Sequence, residues 1–254
     1  MDNAPASGAG NTGSIPVGGT FWSPTHPKIM PGYYQNVLAA ERLELCYKLA
    51  PPRVRQYLQA EIDHVVKQLP SQALILELGC GYGRILAQLI PCAERVCGVD
   101  TSLQSLKYGK QILKGEQNCE LVCADAAQLP FRANSFDVVL CLQNGISAFQ
   151  VDPYKLVRES LRVSKPNGTT LFSTYAEQFW EYRMQWFDLQ AHAGLIGPLD
   201  YERTGDGKIV CADGFTATTL RADDFRALAD MCHAETSIYG IDESSLFCSF
   251  KSRT

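Results

Sequence analysis

The sequence of 254 residues lacks the features that mark several large classes of protein. It has no block of lysine and arginine and carries a formal net charge of −4, whereas a polynucleotide-binding surface needs cations for its phosphate contacts. It has no apolar run long enough to cross a membrane. It also has no basic segment followed by an apolar stretch near its start, so we expect no signal peptide and a cytoplasmic location. A membrane role and a nucleic-acid partner are therefore disfavoured.

Metal-binding and disulfide patterns are missing as well. The ten cysteines form no CxxC pair, and the four histidines are scattered along the chain. Because a structural metal site needs clustered ligands, we expect no metal. Several cysteines lie inside apolar, strand-like runs, where a reduced thiol packs as a small hydrophobic group. The pattern favours free thiols in a reducing compartment.

The chain divides into three predicted parts. Residues 1–24 are rich in glycine, serine, asparagine and proline and offer little to bury, so we expect a disordered tail. Residues 25–69 carry the apolar spacing of helices, with one helix through 37–45 and another through 54–69, separated by two adjacent prolines. We predict that this part forms an N-terminal helical cap on a larger domain over 70–254.

Strands and helices alternate in the larger domain. The apolar spacing predicts strands over 74–78, 95–99, 120–124, 136–142 and 169–175 and helices over 84–90, 103–113 and 153–163. Because these strands are apolar throughout, both faces of the sheet should be covered, which favours parallel strands joined by right-handed crossovers. The predicted fold class is therefore α/β, with helices on either side of the sheet.

Residues 176–220 interrupt this alternation. A helix is predicted over 177–192, and a Gly-Asp-Gly turn predicts a hairpin around 204–208. A further helix and a pair of strands are predicted over 222–232, 236–239 and 245–250. We therefore predict an inserted subdomain after the fifth strand, which would serve as a lid over the substrate.

The first strand of the domain ends in Glu77-Leu-Gly79-Cys-Gly81-Tyr-Gly83, a carboxylate followed by three glycines at alternate positions. In doubly wound sheets, ligands bind outside the carboxyl ends of the strands. Glycine lets the backbone turn sharply there and approach a ligand closely. A tight turn from strand to helix, without any ligand, would also explain the glycines.

Two more carboxylates end the next two strands. Asp100, followed by Thr101, is placed to accept hydrogen bonds from ribose hydroxyls, and Asp125, followed by Ala126, could meet an exocyclic amine. Each aspartate alone could instead be a helix cap or a turn residue. Three successive strands that all end in a carboxylate favour a nucleoside site.

Two nucleoside ligands compete for this site. The dinucleotide fingerprint is GxGxxG, whereas this chain has GxGxG with a carboxylate two residues before the first glycine. That carboxylate would repel a pyrophosphate docked on the loop, and it would suit a ligand with an ammonium group. S-adenosylmethionine carries an α-amino group and a sulfonium and has no phosphate, so it fits the pattern better.

Together these motifs resemble those of class I S-adenosylmethionine-dependent methyltransferases that act on small molecules, of the type 11 and type 25 kind. The resemblance is close over residues 70–175 and implies a Rossmann-like, seven-stranded, mostly parallel sheet whose last strand is antiparallel. It also implies S-adenosylhomocysteine as the product. The residues that would hold the cofactor are Tyr33, Glu77, Gly79, Gly81, Gly83, Asp100, Thr101, Asp125, Ala126, Leu142 and Gln143.

The residues that would place the methyl acceptor are less clearly marked. The segment 141–149 is similar to one in glycine N-methyltransferase-like enzymes, which implies a catalytic role for Asn144, although a turn before Gly145 would also explain it. His192 is the best candidate for a general base because histidine titrates near neutrality, with a helix-end cap as the alternative. Aromatic residues along the helix at 177–192 could be core or could roof the acceptor pocket. The acceptor contacts predicted around this roof are Tyr34, Trp180, Arg183 and Trp186.

The predicted function is in-line transfer of a methyl group from S-adenosylmethionine to a nitrogen, oxygen or sulfur atom of a small molecule. Three alternatives stay open: a metalloid or thiol methyltransferase using some of the ten cysteines, an RNA or protein methyltransferase, and a cofactor-binding module without turnover. Cys119 and Cys123 are the nearest candidate pair for the first. The negative net charge and the aromatic roof argue against RNA. A cavity of a few hundred Å³ would favour a small acceptor, and an open trough would favour a polymer. The oligomeric state stays open.

Overall fold

The computed structural model describes residues 32–252, so the tail predicted at 1–24 lies outside the described residues. The helices of the cap are α1 (Tyr33–Asn36), α2 (Glu41–Lys48) and α3 (Pro52–Val66). The single helix predicted through 37–45 is wrong, because Ala40 has a φ of 50° and its N–H donates to Ser105 Oγ at 3.0 Å. That contact with the domain below turns the chain between α1 and α2.

The strands are β1 (Leu74–Leu78), β2 (Arg95–Asp100), β3 (Cys119–Cys123), β4 (Phe136–Cys141), β5 (Ser164–Tyr175), β6 (Ile209–Val210), β7 (Thr216–Ala217), β8 (Ala234–Ile241) and β9 (Ser245–Ser252). Seven of them form one sheet in the order β3-β2-β1-β4-β5-β9-β8. In this order the first five strands, β3, β2, β1, β4 and β5, run parallel to one another. Strand β9 is antiparallel to both of its neighbours, β5 and β8. This order confirms the predicted Rossmann-like sheet with its antiparallel last strand.

The remaining helices are α4 (Leu86–Leu89), α5 (Leu103–Ile112), α6 (Gly145–Ala148), α7 (Pro153–Val163), α8 (Trp180–His192) and α9 (Ala222–Met231). The helix predicted over 84–90 is shorter than expected and begins only at Leu86. It ends at Leu89 because Pro91 has no N–H to donate, and the chain continues as a 3₁₀ turn. In the part of the chain described, no helix combines the length and apolar character that a membrane span requires.

Alternate residues of β1 bury opposite faces of the sheet. Ile75 packs in one core cluster with Ile62 of α3 and Leu89 of α4. Leu76 packs on the other side with Leu156 of α7 and Phe225 of α9. Both faces are therefore covered, as uniformly apolar parallel strands require.

The predicted insertion contains α8, β6 and β7, and it packs against the N-terminal helices. The rings of Tyr33 and Phe215 have centroids 4.7 Å apart, and the Tyr33 hydroxyl donates to Asp213 at 2.8 Å. Arg42 donates to the backbone oxygen of Gly194 at 2.8 Å. Because of these contacts, the N-terminal helices and the insertion together cover one end of the sheet. The boundaries predicted for the cap, 25–69, and for the insertion, 176–220, stay a prediction.

Candidate active site

A cavity of about 330 Å³ lies at the carboxyl ends of β1 to β5 and is roofed by the N-terminal helices and α8. Ten of the eleven residues predicted to hold the cofactor lie in its wall: Tyr33, Glu77, Gly79, Gly81, Asp100, Thr101, Asp125, Ala126, Leu142 and Gln143. The topology brings nine of them together, because parallel strands place their carboxyl ends at the same edge of the sheet. Tyr33 comes from α1 of the cap.

In the glycine loop after β1, Gly79 and Gly83 both have a positive φ and no space for a Cβ. Gly79 has a φ of 72°, and a Cβ there would lie 2.2 Å from a ring carbon of Phe149. Gly83 has a φ of 84° but lies outside the cavity wall, where a Cβ would meet Leu113 at 2.7 Å. Gly83 therefore lets the loop pack against Leu113, and the cofactor contact predicted for it stays a prediction.

Glu77 is buried at the floor of the cavity, 3% exposed, and its Oε2 has no hydrogen-bond partner among the described residues. Burial raises the pKa of its carboxyl to about 8, against the opposing effect of the positive charge of Arg84. An unpartnered carboxylate oxygen in a desolvated wall is costly unless a donor meets it. A ligand with an ammonium group would supply that donor, so the site fits S-adenosylmethionine at this point.

Asp100 already has contacts within the protein. Its carboxylate accepts hydrogen bonds from the backbone N–H of Gly81 at 2.9 Å and of Ser102 at 2.7 Å. These bonds fix the glycine loop to the end of β2. Asp125 similarly accepts a hydrogen bond from the N–H of Ala127 at 2.8 Å. Its carboxylate therefore stabilises the turn, and the residue also lines the cavity.

The chain bends sharply after β4, where Gln143 and Asn144 have φ values of 55° and 64°. The N–H of Gln143 donates to Glu61 at 2.9 Å and to Ser173 Oγ at 2.7 Å. The sequence reasoning missed Glu61, although it lies on the apolar side of α3, one residue before the buried Ile62. Because a carboxylate on the buried side of a helix is rare, the position of Glu61 in the apolar pattern of α3 is a signal from which a functional residue could have been predicted.

Asn144 and His192, the two predicted catalytic residues, both lie outside the cavity wall, so their catalytic roles stay a prediction. The Asn144 amide is satisfied elsewhere: Nδ2 donates to the oxygen of Thr218 at 2.8 Å, and Oδ1 accepts from Thr174 Oγ1 at 2.7 Å. His192 is exposed at the end of α8, with Nδ1 2.8 Å from the backbone oxygen of Asp188. Its alternative role as a helix-end residue agrees with this contact.

The four predicted acceptor contacts divide evenly. Tyr34 and Trp186 lie in the wall beside other aromatic residues, and the Trp186 indole donates to the oxygen of Cys46 at 2.9 Å. Trp180 and Arg183 lie outside the wall, and the acceptor contacts predicted for them stay a prediction. The helix turns their side chains towards the insertion, and only one of its sides faces the cavity.

Arg183 is 1% exposed and anchors the insertion. Its guanidinium donates to the backbone oxygens of Gly207 at 2.8 Å and Ala217 at 3.1 Å, and it lies 4.6 Å from the centre of the Tyr175 ring. One side chain thus ties α8 to the end of β5 and to the segment that carries β6 and β7.

Replacing Arg183 with Met is expected to lower the free energy of unfolding by about 2 kcal/mol, because buried carbonyl oxygens lose their donors. Urea unfolding at neutral pH measures the change. Arg226→Met is the matched control, since Arg226 is exposed and its ion pair with Asp223 contributes little. Arg183→Lys, which keeps the charge but reaches fewer carbonyls, should fall between the two. Equal stability of the Arg183→Met and Arg226→Met variants would contradict the anchoring role.

The cavity has two chemically different ends. The carboxylates of Glu77, Asp100 and Asp125 line the end near the glycine loop. The other end is aromatic, and its side chains include Tyr34, Tyr175, Trp186 and Phe187. Within residues 32–252, no group of three or more histidine, cysteine or acidic side chains has the arrangement of a metal site.

Residues 76–172 match a protein family described as a methyltransferase domain. Malonyl-[acyl-carrier protein] O-methyltransferase from a Marinomonas species is 34% identical over 136 residues, which cover 50% of this chain and 48% of that protein. Demethylmenaquinone methyltransferase from Clavibacter sepedonicus is 36% identical over 102 residues, or 40% of this chain and 41% of the relative. The chain therefore spans about half the length, or less, of these curated relatives.

Solved structures share the fold at low sequence identity. The PH0226 protein from Pyrococcus horikoshii OT3 superposes with a TM-score of 0.59 at 18% identity, covering 87% of this chain and 96% of that one. A SAM-dependent methyltransferase from Methanosarcina mazei gives a TM-score of 0.56 at 18% identity, covering 75% and 98%. These likenesses agree with the strand order described above.

Proposed function

We propose that this chain, a class I S-adenosylmethionine-dependent methyltransferase by family and fold, transfers a methyl group to a small-molecule acceptor by in-line displacement. The observation that carries the proposal is one continuous cavity with an acidic end and an aromatic end. Its volume of about 330 Å³ is of the size that suits a small ligand. When bound, S-adenosylmethionine supplies an electrophilic methyl group on its sulfonium.

The acidic end has a suitable group for each polar part of the cofactor. Glu77 would accept from the ammonium, and Asp100 would accept from the ribose hydroxyls while still holding the Gly81 amide. The Asp125 carboxylate and the Ala126 amide would meet the adenine. The bare backbone at Gly79 lets the loop pack against Phe149, which also lines the cavity.

The aromatic end would bind the acceptor and exclude water from the reacting atoms. Flat side chains such as Tyr34, Tyr175 and Trp186 suit a planar or apolar acceptor. The curated relatives include enzymes named for demethylmenaquinone and, as an O-methyltransferase, for malonyl-[acyl-carrier protein]. From these names we infer only that acceptors with rings and with oxygen nucleophiles should be tested first.

A cysteine-based reaction has less support. Cys119 and Cys123 do not line the cavity, whereas Cys46 and Cys80 do. Burial raises the pKa of the Cys46 thiol to about 12 and that of Cys80 well above its ordinary value. Because the thiolate is the reactive form, neither residue is suited to bind a metalloid or attack a disulfide near neutral pH.

Calorimetric titration with S-adenosylmethionine, S-adenosylhomocysteine and NAD tests the proposal. We expect binding of the two adenosyl amino acids and none of NAD, followed by methylation of members of a panel of small phenols, quinols, carboxylic acids and amines.

Asp100→Ala should weaken S-adenosylhomocysteine binding by about 1–3 kcal/mol through loss of charged hydrogen bonds. The control Asp223→Ala, on the exposed face of α9, should bind with the wild-type affinity. Binding of NAD alone would overturn the assignment.

A further inference from the structure

Arg183 is a buried positive charge directly behind the aromatic end of the cavity. It is 1% exposed and forms no ion pair within 4.0 Å with an acidic side chain of residues 32–252. Backbone oxygens accept from its Nη1 and Nη2, whereas its buried Nε has no hydrogen-bond partner in the same part of the chain. Arginine stays ionised when it is buried, so this charge is uncompensated.

Two side chains of the aromatic end lie against this guanidinium. Its Cζ is 4.6 Å from the centre of the Tyr175 ring and 5.6 Å from the centre of the Phe187 ring. Both rings line the cavity, so one layer of side chains separates the charge from the space where the acceptor would bind.

The titratable groups that face Arg183 do not cancel its charge. They are three phenols: Tyr34 of α1, Tyr57 of α3 and Tyr175 of β5. Burial raises the pKa of each of them above its ordinary value, so all three are neutral near pH 7.

Two carboxyl groups of neighbouring elements are engaged elsewhere. Glu61 on α3 lies outside the cavity wall and accepts hydrogen bonds from two serines and a backbone N–H. Asp206, next to the insertion residue Gly207, is exposed and pairs with Arg221. Because neither group compensates Arg183, the aromatic end has a positive potential.

The wall also offers no base to a nucleophile that arrives protonated. Within residues 32–252 the wall contains neither histidine nor lysine, and its three carboxylates lie at the acidic end. Apart from Arg84, its other titratable side chains are tyrosines and cysteines, and burial raises the pKa of each of these. A neutral phenol or thiol donates a hydrogen bond but does not remove a proton near pH 7. The nucleophile must therefore have lost its proton before it enters.

We propose that the methyl acceptor enters the aromatic end as an oxyanion, either a carboxylate or the phenolate of an acidic phenol, and that the charge of Arg183 favours this form. The inference rests on the function proposed above and names its substrate class. A lone pair of the oxyanion forms the new C–O bond to the methyl carbon, the C–S bond breaks, and its electron pair stays on sulfur. The ester or ether and the thioether that result are neutral at the reacting atoms, so no proton has to leave the site. Because the reaction cancels two opposite charges, a desolvated wall favours the transition state over the reactants.

The first test is the pH dependence of kcat/KM for two small phenols, pentafluorophenol and the less acidic para-cyanophenol, at saturating S-adenosylmethionine. This ratio reports the ionisation of the free acceptor and of the loaded enzyme. Each profile should rise to a plateau with its midpoint at the pKa of that phenol, so the two midpoints should differ as the two phenols do. One midpoint shared by both phenols, such as the pKa of about 7 of Glu61, would indicate a base in the protein and overturn the inference.

The second test measures binding by calorimetry in the presence of S-adenosylhomocysteine. Benzoate and benzamide have the same shape, and only benzoate is charged. Wild-type protein should bind benzoate about tenfold more tightly than benzamide. Arg183→Met should abolish this preference, and Arg183→Lys, which keeps the charge, should retain most of it. Arg226→Met, at an exposed arginine, is the matched control and should keep the wild-type preference.

Thermal melts confirm that each variant is folded before the comparison is made. The inference would be overturned if the wild-type protein showed no preference for benzoate, or if folded Arg183→Met kept the wild-type preference. Methylation of benzyl alcohol or benzylamine, with none of benzoate or of the two phenols, would also overturn it and would leave the proposed function standing. If the wild-type protein binds neither S-adenosylmethionine nor S-adenosylhomocysteine, the proposed function itself fails.

Discussion

The affinity of this protein for S-adenosylhomocysteine is expected to rise about tenfold per pH unit from about pH 6 to about pH 8, and Glu77→Gln is expected to abolish that rise. Burial raises the pKa of Glu77 to about 8, so the free protein holds this carboxyl protonated at neutral pH. A bound ammonium favours the ionised carboxylate and lowers its pKa. Below pH 8 the site must therefore release a proton in order to bind, which costs about 1.4 kcal/mol per pH unit.

Calorimetry at several pH values, in buffers of differing ionisation enthalpy, measures both the affinity and the proton released. At pH 7 the wild-type protein should release close to one proton per ligand bound, and Glu77→Gln should release none. The ligand 5′-methylthioadenosine has no amine, so its affinity for the wild-type protein should stay flat over the same range. A flat profile for S-adenosylhomocysteine would mean that the ammonium does not meet Glu77.

The features that the sequence predicted correctly depend on short-range patterns. The sheet is confirmed, and residues 76–172 match a methyltransferase-domain family. Both follow from apolar strands that end in Glu77, Asp100 and Asp125. The residues that follow these strands lie near one another, because parallel strands have their carboxyl ends at the same edge of the sheet. For this reason nine residues predicted from strand-end motifs lie together in one wall.

The features that the sequence did not predict depend on contacts between distant segments. Nothing local shows that Asn144 will turn towards Thr218 and Thr174, or that Arg183 will be buried against the backbone of the insertion. The bend at Ala40 likewise depends on Ser105, 65 residues later in the chain. Side-chain direction on a bend or on an amphipathic helix is decided by what packs there, and spacing alone does not give it.

Glu61 shows the largest consequence of such a distant contact for stability. It is fully buried, and its carboxylate accepts hydrogen bonds from Ser173 Oγ and Ser245 Oγ, both at 2.6 Å, and from the N–H of Gln143 at 2.9 Å. It therefore links α3 to β5, β9 and the bend after β4. Burial raises its pKa from 4.5 to about 7 despite these donors.

The free energy of unfolding of the wild-type protein is expected to fall by about 3 kcal/mol relative to Glu61→Gln as the pH rises from 4.5 to about 7. In this window the unfolded chain has released the proton while the folded protein still holds it, so rising pH favours unfolding; above about pH 7 the difference levels off. Glutamine has the shape and the donor of the protonated acid, so the variant lacks this dependence. Urea unfolding at a series of pH values gives the difference directly, and titration of Glu77 contributes equally to both proteins.

Glu94→Gln, at an exposed glutamate, should follow the wild-type curve. A difference between wild type and Glu61→Gln that stays constant over this range would show that Glu61 is ionised in the folded protein throughout, and that its three donors outweigh the cost of burying the charge.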